Sequence, residues 1–123
     1  MRHSWLVAKR WYYAHKDTQE PLRSLFRTDP PSPDTPIGDA EFVALDIETT
    51  GLDPATAQML SVGWVVVRGT RIDLRTSESY IVRPSKDVGH SASVHGLTDT
   101  MVGSGQDWGL ILDKIVDALR GRV

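Results

Sequence analysis

Two carboxylates stand two residues apart at the end of an apolar segment, Val43-Ala44-Leu45-Asp46-Ile47-Glu48. On a β-strand, side chains at i and i+2 leave the same face, so Asp46 and Glu48 aim at one place. Neighbouring carboxylates repel each other and lose hydration, a cost that a bound cation removes. Hard oxygen donors of this kind suit Mg²⁺ or Mn²⁺, ions held by one or two carboxylates, several waters and the phosphate of a substrate. Thr49-Thr50-Gly51-Leu52 follows at once and offers hydroxyls and exposed backbone N–H groups to a nucleotide. An acidic pair at a strand end is more often a solvated turn, so the surrounding sequence has to decide between the two readings.

The elements that would position this pair are legible from periodicity. Glu41 to Ile47 reads as a buried strand, with Val43, Leu45 and Ile47 on one face and Phe42, Ala44, Asp46 and Glu48 on the other. Gly51-Leu52-Asp53-Pro54 is a turn. Met59 to Val67 and Ile72 to Val82 are further strands, joined through Arg68-Gly69-Thr70, and the three make an antiparallel meander. A loop through Ser91 leads to a short helix near Asp99 to Val102, with Thr98 as its N-cap. Trp108, Ile111, Leu112, Ile115, Val116 and Leu119 repeat at three and four and predict a helix facing a core, stopped by Gly121. Arg122 and Val123 suit the start of another strand.

Ahead of this lies a different kind of sequence. Residues 1–28 hold six basic and two acidic side chains, a net +4 within a chain of net −2, and form a basic aromatic extension predicted to be helical from Trp5 to His15. A second short apolar run, Leu22, Leu25 and Phe26, follows Pro21. Residues 29–40 are a linker in which Pro30, Pro31, Pro33 and Pro36 favour extended backbone, and the globular part occupies 41–123. The extension could meet nucleic acid or an acidic membrane surface, but packing on its own domain or on a partner is the commoner fate of such a stripe. No window approaches a membrane span, the N-terminus is not a secretory signal, and the lack of cysteine excludes disulfides and Cys-ligated zinc, which together suit the cytoplasm.

The segment Val43-Ala-Leu-Asp46-Ile-Glu48-Thr49-Thr50-Gly51-Leu52-Asp53-Pro54 resembles the first motif of the DEDD exonucleases, the superfamily that includes the proofreading epsilon subunit of bacterial DNA polymerase III and ribonuclease T. The likeness continues through Ser61-Val62-Gly63 and through Ser91 to Thr98, where His95-Gly96-Leu97-Thr98 is similar to the family's His-Gly-Ile-Thr segment. It covers about residues 41–120 and leaves out the basic extension.

The resemblance implies an α/β, ribonuclease H-like fold and metal-dependent hydrolysis of 3′-terminal phosphodiesters, on DNA in preference to RNA. Asp46 and Glu48 would be the catalytic metal ligands, for two Mg²⁺ or Mn²⁺ ions. Thr49, Thr50, Gly51, Leu52 and His95 would bind the terminal nucleotide of a single-stranded 3′ end. A DNA polymerase subunit is the protein partner implied. The family's later acidic motifs, Asn-x-x-Phe-Asp and a His-x₄-Asp, do not occur in these 123 residues. The expectation is therefore the first half of the fold, truncated after the meander and first long helix and inactive by itself. The strand bearing Asp46 would be central in the complete sheet. A module that keeps the fold's first half and binds nucleic acid or protein without catalysis, or a different two-metal phosphodiesterase, are the alternatives.

Overall fold

The computed structural model describes residues 2–16, 18–85 and 96–123, with the backbone alone for 2–6 and 99. Among the described residues, five helices and three strands follow in the order α1 (Arg2–His15), α2 (Leu22–Arg27), a 3₁₀ turn (Ile37–Asp39), β1 (Glu41–Thr49), β2 (Met59–Arg68), β3 (Arg71–Ile81), α3 (Asp99–Gly103) and α4 (Trp108–Leu119), the 3₁₀ turn counted among the helices. The strands form one antiparallel sheet in the order β1-β2-β3. This is the meander read from the sequence, with strand ends shifted by one or two residues.

The β2–β3 hairpin closes through Gly69-Thr70, and Gly69 has φ +58, a conformation that a two-residue hairpin demands of its first central residue. A Cβ there would also come within 2.4 Å of the Gly38 carbonyl oxygen, so the linker lies over the hairpin end where only glycine fits.

Alternation along β2 puts Leu60, Val62, Trp64 and Val66 in the interior. Helix α4 lies across that face, and Val62, Trp64, Val82, Ile111 and Ile115 make the core, flanked by Val43, Tyr80 and Leu119. The helix is well specified: Asp107 is its N-cap, accepting the Gly109 N–H, and Gly121 at φ +67 follows its end. Its approach is fixed by a short parallel bridge between Val82 and Gln106, with Arg83 N–H donating to the Gln106 carbonyl and Gln106 N–H to the Ile81 carbonyl, both at 2.9 Å. Gly105 permits this, since a Cβ would sit 2.7 Å from the Val82 and Arg83 backbone. Helix α3 carries the expected cap, the Thr98 side chain accepting from the Met101 N–H.

Two expectations need correction. Leu45 and Ile47 are 41% and 45% exposed, so β1 is not buried along its length. It is the sheet's edge among the described strands, and α4 covers it only near Val43. Trp108 stands at the rim of the core rather than in it. Among the described residues the outer edge of β1 is engaged at one point: Val123 N–H donates to the Glu41 carbonyl (3.0 Å) and Val43 N–H to the Val123 carbonyl (2.8 Å), the pattern of a parallel ladder. Arg122 and Val123 thus run alongside β1 as the start of a strand would.

The N-terminal extension folds back as a helical hairpin. Tyr13 stacks on Phe26 at 5.4 Å, Ala14 is buried between the helices, and Arg10 donates to the carbonyls of Leu25 (2.6 Å) and Thr28 at the end of α2. Arg120, just past α4, donates to Ser24 Oγ at 2.7 Å and ties the hairpin to the domain.

Candidate active site

The register of β1 on β2 settles which groups share a face. Asp46 pairs with Gly63 and Glu48 with Ser61, and residues directly opposite in an antiparallel pair project to the same side. Asp46, Glu48, Ser61 and Gly63 therefore form one patch on the face away from α4. Asp46 is exposed and Glu48 half-buried. Gly63 leaves room beside Asp46 that any larger residue would occupy.

Several acidic side chains elsewhere are neutralised by a neighbouring cation. Glu41 lies between Arg68 and Arg122, Asp73 contacts Arg75 and Arg68, and Asp117 pairs with Arg120. Among the described residues no Lys or Arg comes within ion-pair distance of Asp46. Two carboxylates projecting from one strand face, one of them without a neutralising cation, fit the oxygen preference of Mg²⁺ or Mn²⁺. Among the described residues no third His, Cys, Asp or Glu joins them.

Beyond Glu48 the pairing slips: Glu48 faces Ser61 but Thr49 faces Met59, a bulge that turns the chain across the sheet end. The turn that follows is held by its own hydrogen bonds. Thr49 Oγ1 donates to the Gly51 carbonyl (2.7 Å), Thr50 N–H donates to the Gln58 carbonyl and Gln58 N–H to Thr50 Oγ1 (both 2.9 Å). Asp53 accepts from the Ala55 N–H and the Thr56 hydroxyl, and these bonds hold its carboxyl below the usual range. Asp53 is thus a turn-former, distinct in role from Asp46 and Glu48.

Thr49, Gly51 and Leu52 line a cleft of about 650 Å³ whose opposite wall is Arg83, Pro84 and Trp108. That volume lies in the range of small-molecule sites. Leu52 is fully exposed at its mouth. The structure thus brings Asp46 and Glu48 together on one face, and Thr49, Gly51 and Leu52 together at the adjoining end of the same strand. Thr50 is turned toward Gln58 instead. His95 lies outside the described residues. The sequence placed Ser61 and Gly63 in the family likeness and Trp108 on the core face of the last helix, but gave none of them, nor Arg83, a part in the site. Strand alternation on β2 was the available signal for the first two, whereas the cleft's far wall depends on how α4 docks.

A three-stranded antiparallel sheet backed by helices is the arrangement of an α/β domain of the ribonuclease H-like kind. Residues 43–122 match the model of the exonuclease family that includes ribonuclease T. The sequence is similar to DNA polymerase III PolC-type of Thermotoga maritima, 34% identical over 92 residues, which is 73% of this chain and 6% of that protein. It is also similar to DNA polymerase III PolC-type of Mycoplasmopsis pulmonis, 31% identical over 104 residues, 85% of this chain and 7% of that protein. The chain therefore belongs to the DEDD-type exonuclease family, and it spans only 6 to 7% of the length of these curated relatives. Among the described residues no helix is long and apolar enough to cross a membrane.

Proposed function

We propose that this domain removes nucleotides from the 3′ end of single-stranded nucleic acid, DNA in preference to RNA, with Mg²⁺ or Mn²⁺ held by Asp46 and Glu48. The observation that carries the reading is the pairing of those two carboxylates on one face of β1 directly before the Thr49–Leu52 turn. When bound, divalent ions in such a site lower the pKa of water and stabilise the leaving 3′-oxygen. The chain's own part is to hold that chemistry in place. Asp46 and Glu48 present their oxygens from a hydrogen-bonded strand, and Ser61 and Gly63 keep the adjoining surface small.

The terminal nucleotide would enter the cleft beside Thr49, Gly51 and Leu52, with Thr50 bracing the turn through Gln58 and His95 beside the nucleotide. Likeness to PolC-type polymerases supports proofreading beside a polymerase as the setting, with a polymerase subunit as partner and the cytoplasm as the place.

Two carboxylates are too few to fix a pair of divalent ions, so residues 1–123 by themselves bind metal weakly and are expected to be inactive. The test is made on the chain together with any sequence that continues past Val123 in its source gene. Strands labelled at the 5′ end should give a ladder of shortened products with Mg²⁺ or Mn²⁺ and none with chelator. Asp46→Ala or Glu48→Ala should lower that rate on the order of 100-fold or more without unfolding the domain. Undiminished cleavage by both variants refutes the site. A source gene that ends at Val123 and a product that binds strands but never cuts them would favour the non-catalytic alternative.

A further inference from the structure

The exonuclease reading makes no use of the α1–α2 hairpin. Its surface departs from the rest of the chain in two ways. It carries the net positive charge of residues 1–28 while residues 29–123 carry −6, so phosphate attraction is concentrated here and not around Asp46 and Glu48. It also displays aromatic rings that the domain does not need for packing. Trp11 is 64% and Tyr12 46% exposed, although Tyr13 and Ala14 beside them are used against α2.

Trp11 stacks on His15 at 4.7 Å, and His15 Nδ1 lies 2.8 Å from the Trp11 carbonyl, so His15 braces one face of the Trp11 ring. Lys16 Nζ lies 4.9 Å over the Tyr12 ring. Beside Trp11 opens an apolar cleft of about 700 Å³, bounded by Pro30 and Pro31 and edged by Lys9, Arg10 and Arg27 against one carboxylate among the described residues, Asp29. The Arg10 Nε atom is buried there without an acceptor among the described residues.

We propose that this hairpin is a second nucleic-acid contact, a base-stacking and phosphate-binding clamp for a single strand away from the 3′ end being cut. Exposed rings interleaved with cations are what a sequence-tolerant single-strand site requires, because every base has a π face and every linkage a negative charge. The Trp11 ring, backed by His15, takes a base on its other face, while Arg27 and Lys16 face the backbone phosphates. An acidic vesicle would also be drawn by the charge. However, Arg10 and Arg27 line the same cleft as Trp11, whereas a helix lying in a bilayer keeps its cations on the face opposite its apolar one, which favours the strand.

The clamp presupposes that the domain works on single strands, and the test separates the two ideas. Fluorescence anisotropy of a labelled oligothymidylate with the 123-residue chain, in chelator, reads binding without cleavage. Trp11→Ala, at an exposed position, should weaken binding by about five- to one hundred-fold. Arg27→Gln and Lys16→Gln should each lower the slope of log K against log salt by about 0.7. Because two charge variants stand beside the ring variant, misfolding of one does not spare the idea. Affinity and salt slope unchanged in all three would overturn it, as would binding of phosphatidylserine vesicles with no oligonucleotide binding. Loss of metal-dependent cleavage in Asp46→Ala with clamp binding intact is the result expected if both ideas hold, whereas clamp binding with no metal-dependent cleavage ever found would support the clamp and refute the nuclease site.

Discussion

Replacing Ile111 by Ala should undermine the domain far more than the same truncation one position earlier, at Leu110. Ile111 is fully buried against Val62, Trp64 and Val82, whereas Leu110 is 61% exposed on the outer face of α4. Cutting isoleucine back to alanine forfeits about 2.5 kcal/mol of transfer free energy at about 0.8 kcal/mol per methylene. The unfilled space between helix and sheet raises the loss to about 3–4 kcal/mol. Leu110→Ala should stay within about 0.5 kcal/mol. A domain of this size has a total stability of about 5 kcal/mol, so the first variant should be close to unfolding. Urea titration followed by tryptophan fluorescence is a suitable assay, because Trp64 is buried and stacked on Tyr80 at 5.5 Å. With a slope of about 1.5 kcal/mol per molar, the Ile111→Ala midpoint should fall by about 2 M. Equal shifts for the two variants would mean that α4 does not dock by the face described, and the cleft wall at Trp108 would then lose its basis.

Other outcomes follow from the same contacts. The carboxyl of Asp53 should titrate below its ordinary 3.8, because the Ala55 N–H and the Thr56 hydroxyl favour its charged form. A depressed folded-state pKa means that the contribution is present above the unfolded value and is lost as pH falls through the folded one, so the Asp53–Ala57 turn should loosen only below pH 3.8. An NMR titration of the carboxyl carbon checks this, and a midpoint above 3.8 refutes it. Arg120→Ala removes the bonds to Ser24 and Thr28, which are exposed and so worth at most about 1 kcal/mol, but should speed limited proteolysis between Asp29 and Gly38. Unchanged cleavage there would show that the hairpin is held by something other than Arg120.

Much of the domain was legible because its signals are local. Alternation in Val43 to Glu48 follows from strand geometry, and it placed the two carboxylates on one face before any contact was known. The limits of α4 could be read because the three-and-four spacing of its apolar residues and the glycine after it are properties of one helix. Thr98 declared itself as a cap through the same short-range chemistry. Burial was another matter. Leu45 and Ile47 are as apolar as Val62, yet they stay exposed while Val62 is covered, because exposure depends on where α4 crosses the sheet and on which strand lies at its edge. The cleft beside Thr49–Leu52 exists only because the Val82–Gln106 bridge carries Trp108 to the end of β1, a meeting of segments more than fifty residues apart. The docking of the hairpin through Arg120 is equally remote in sequence. Composition and periodicity determined which residues could ligate, cap and alternate; which of them share a surface was decided by packing, since contacts between distant segments leave no period in the chain.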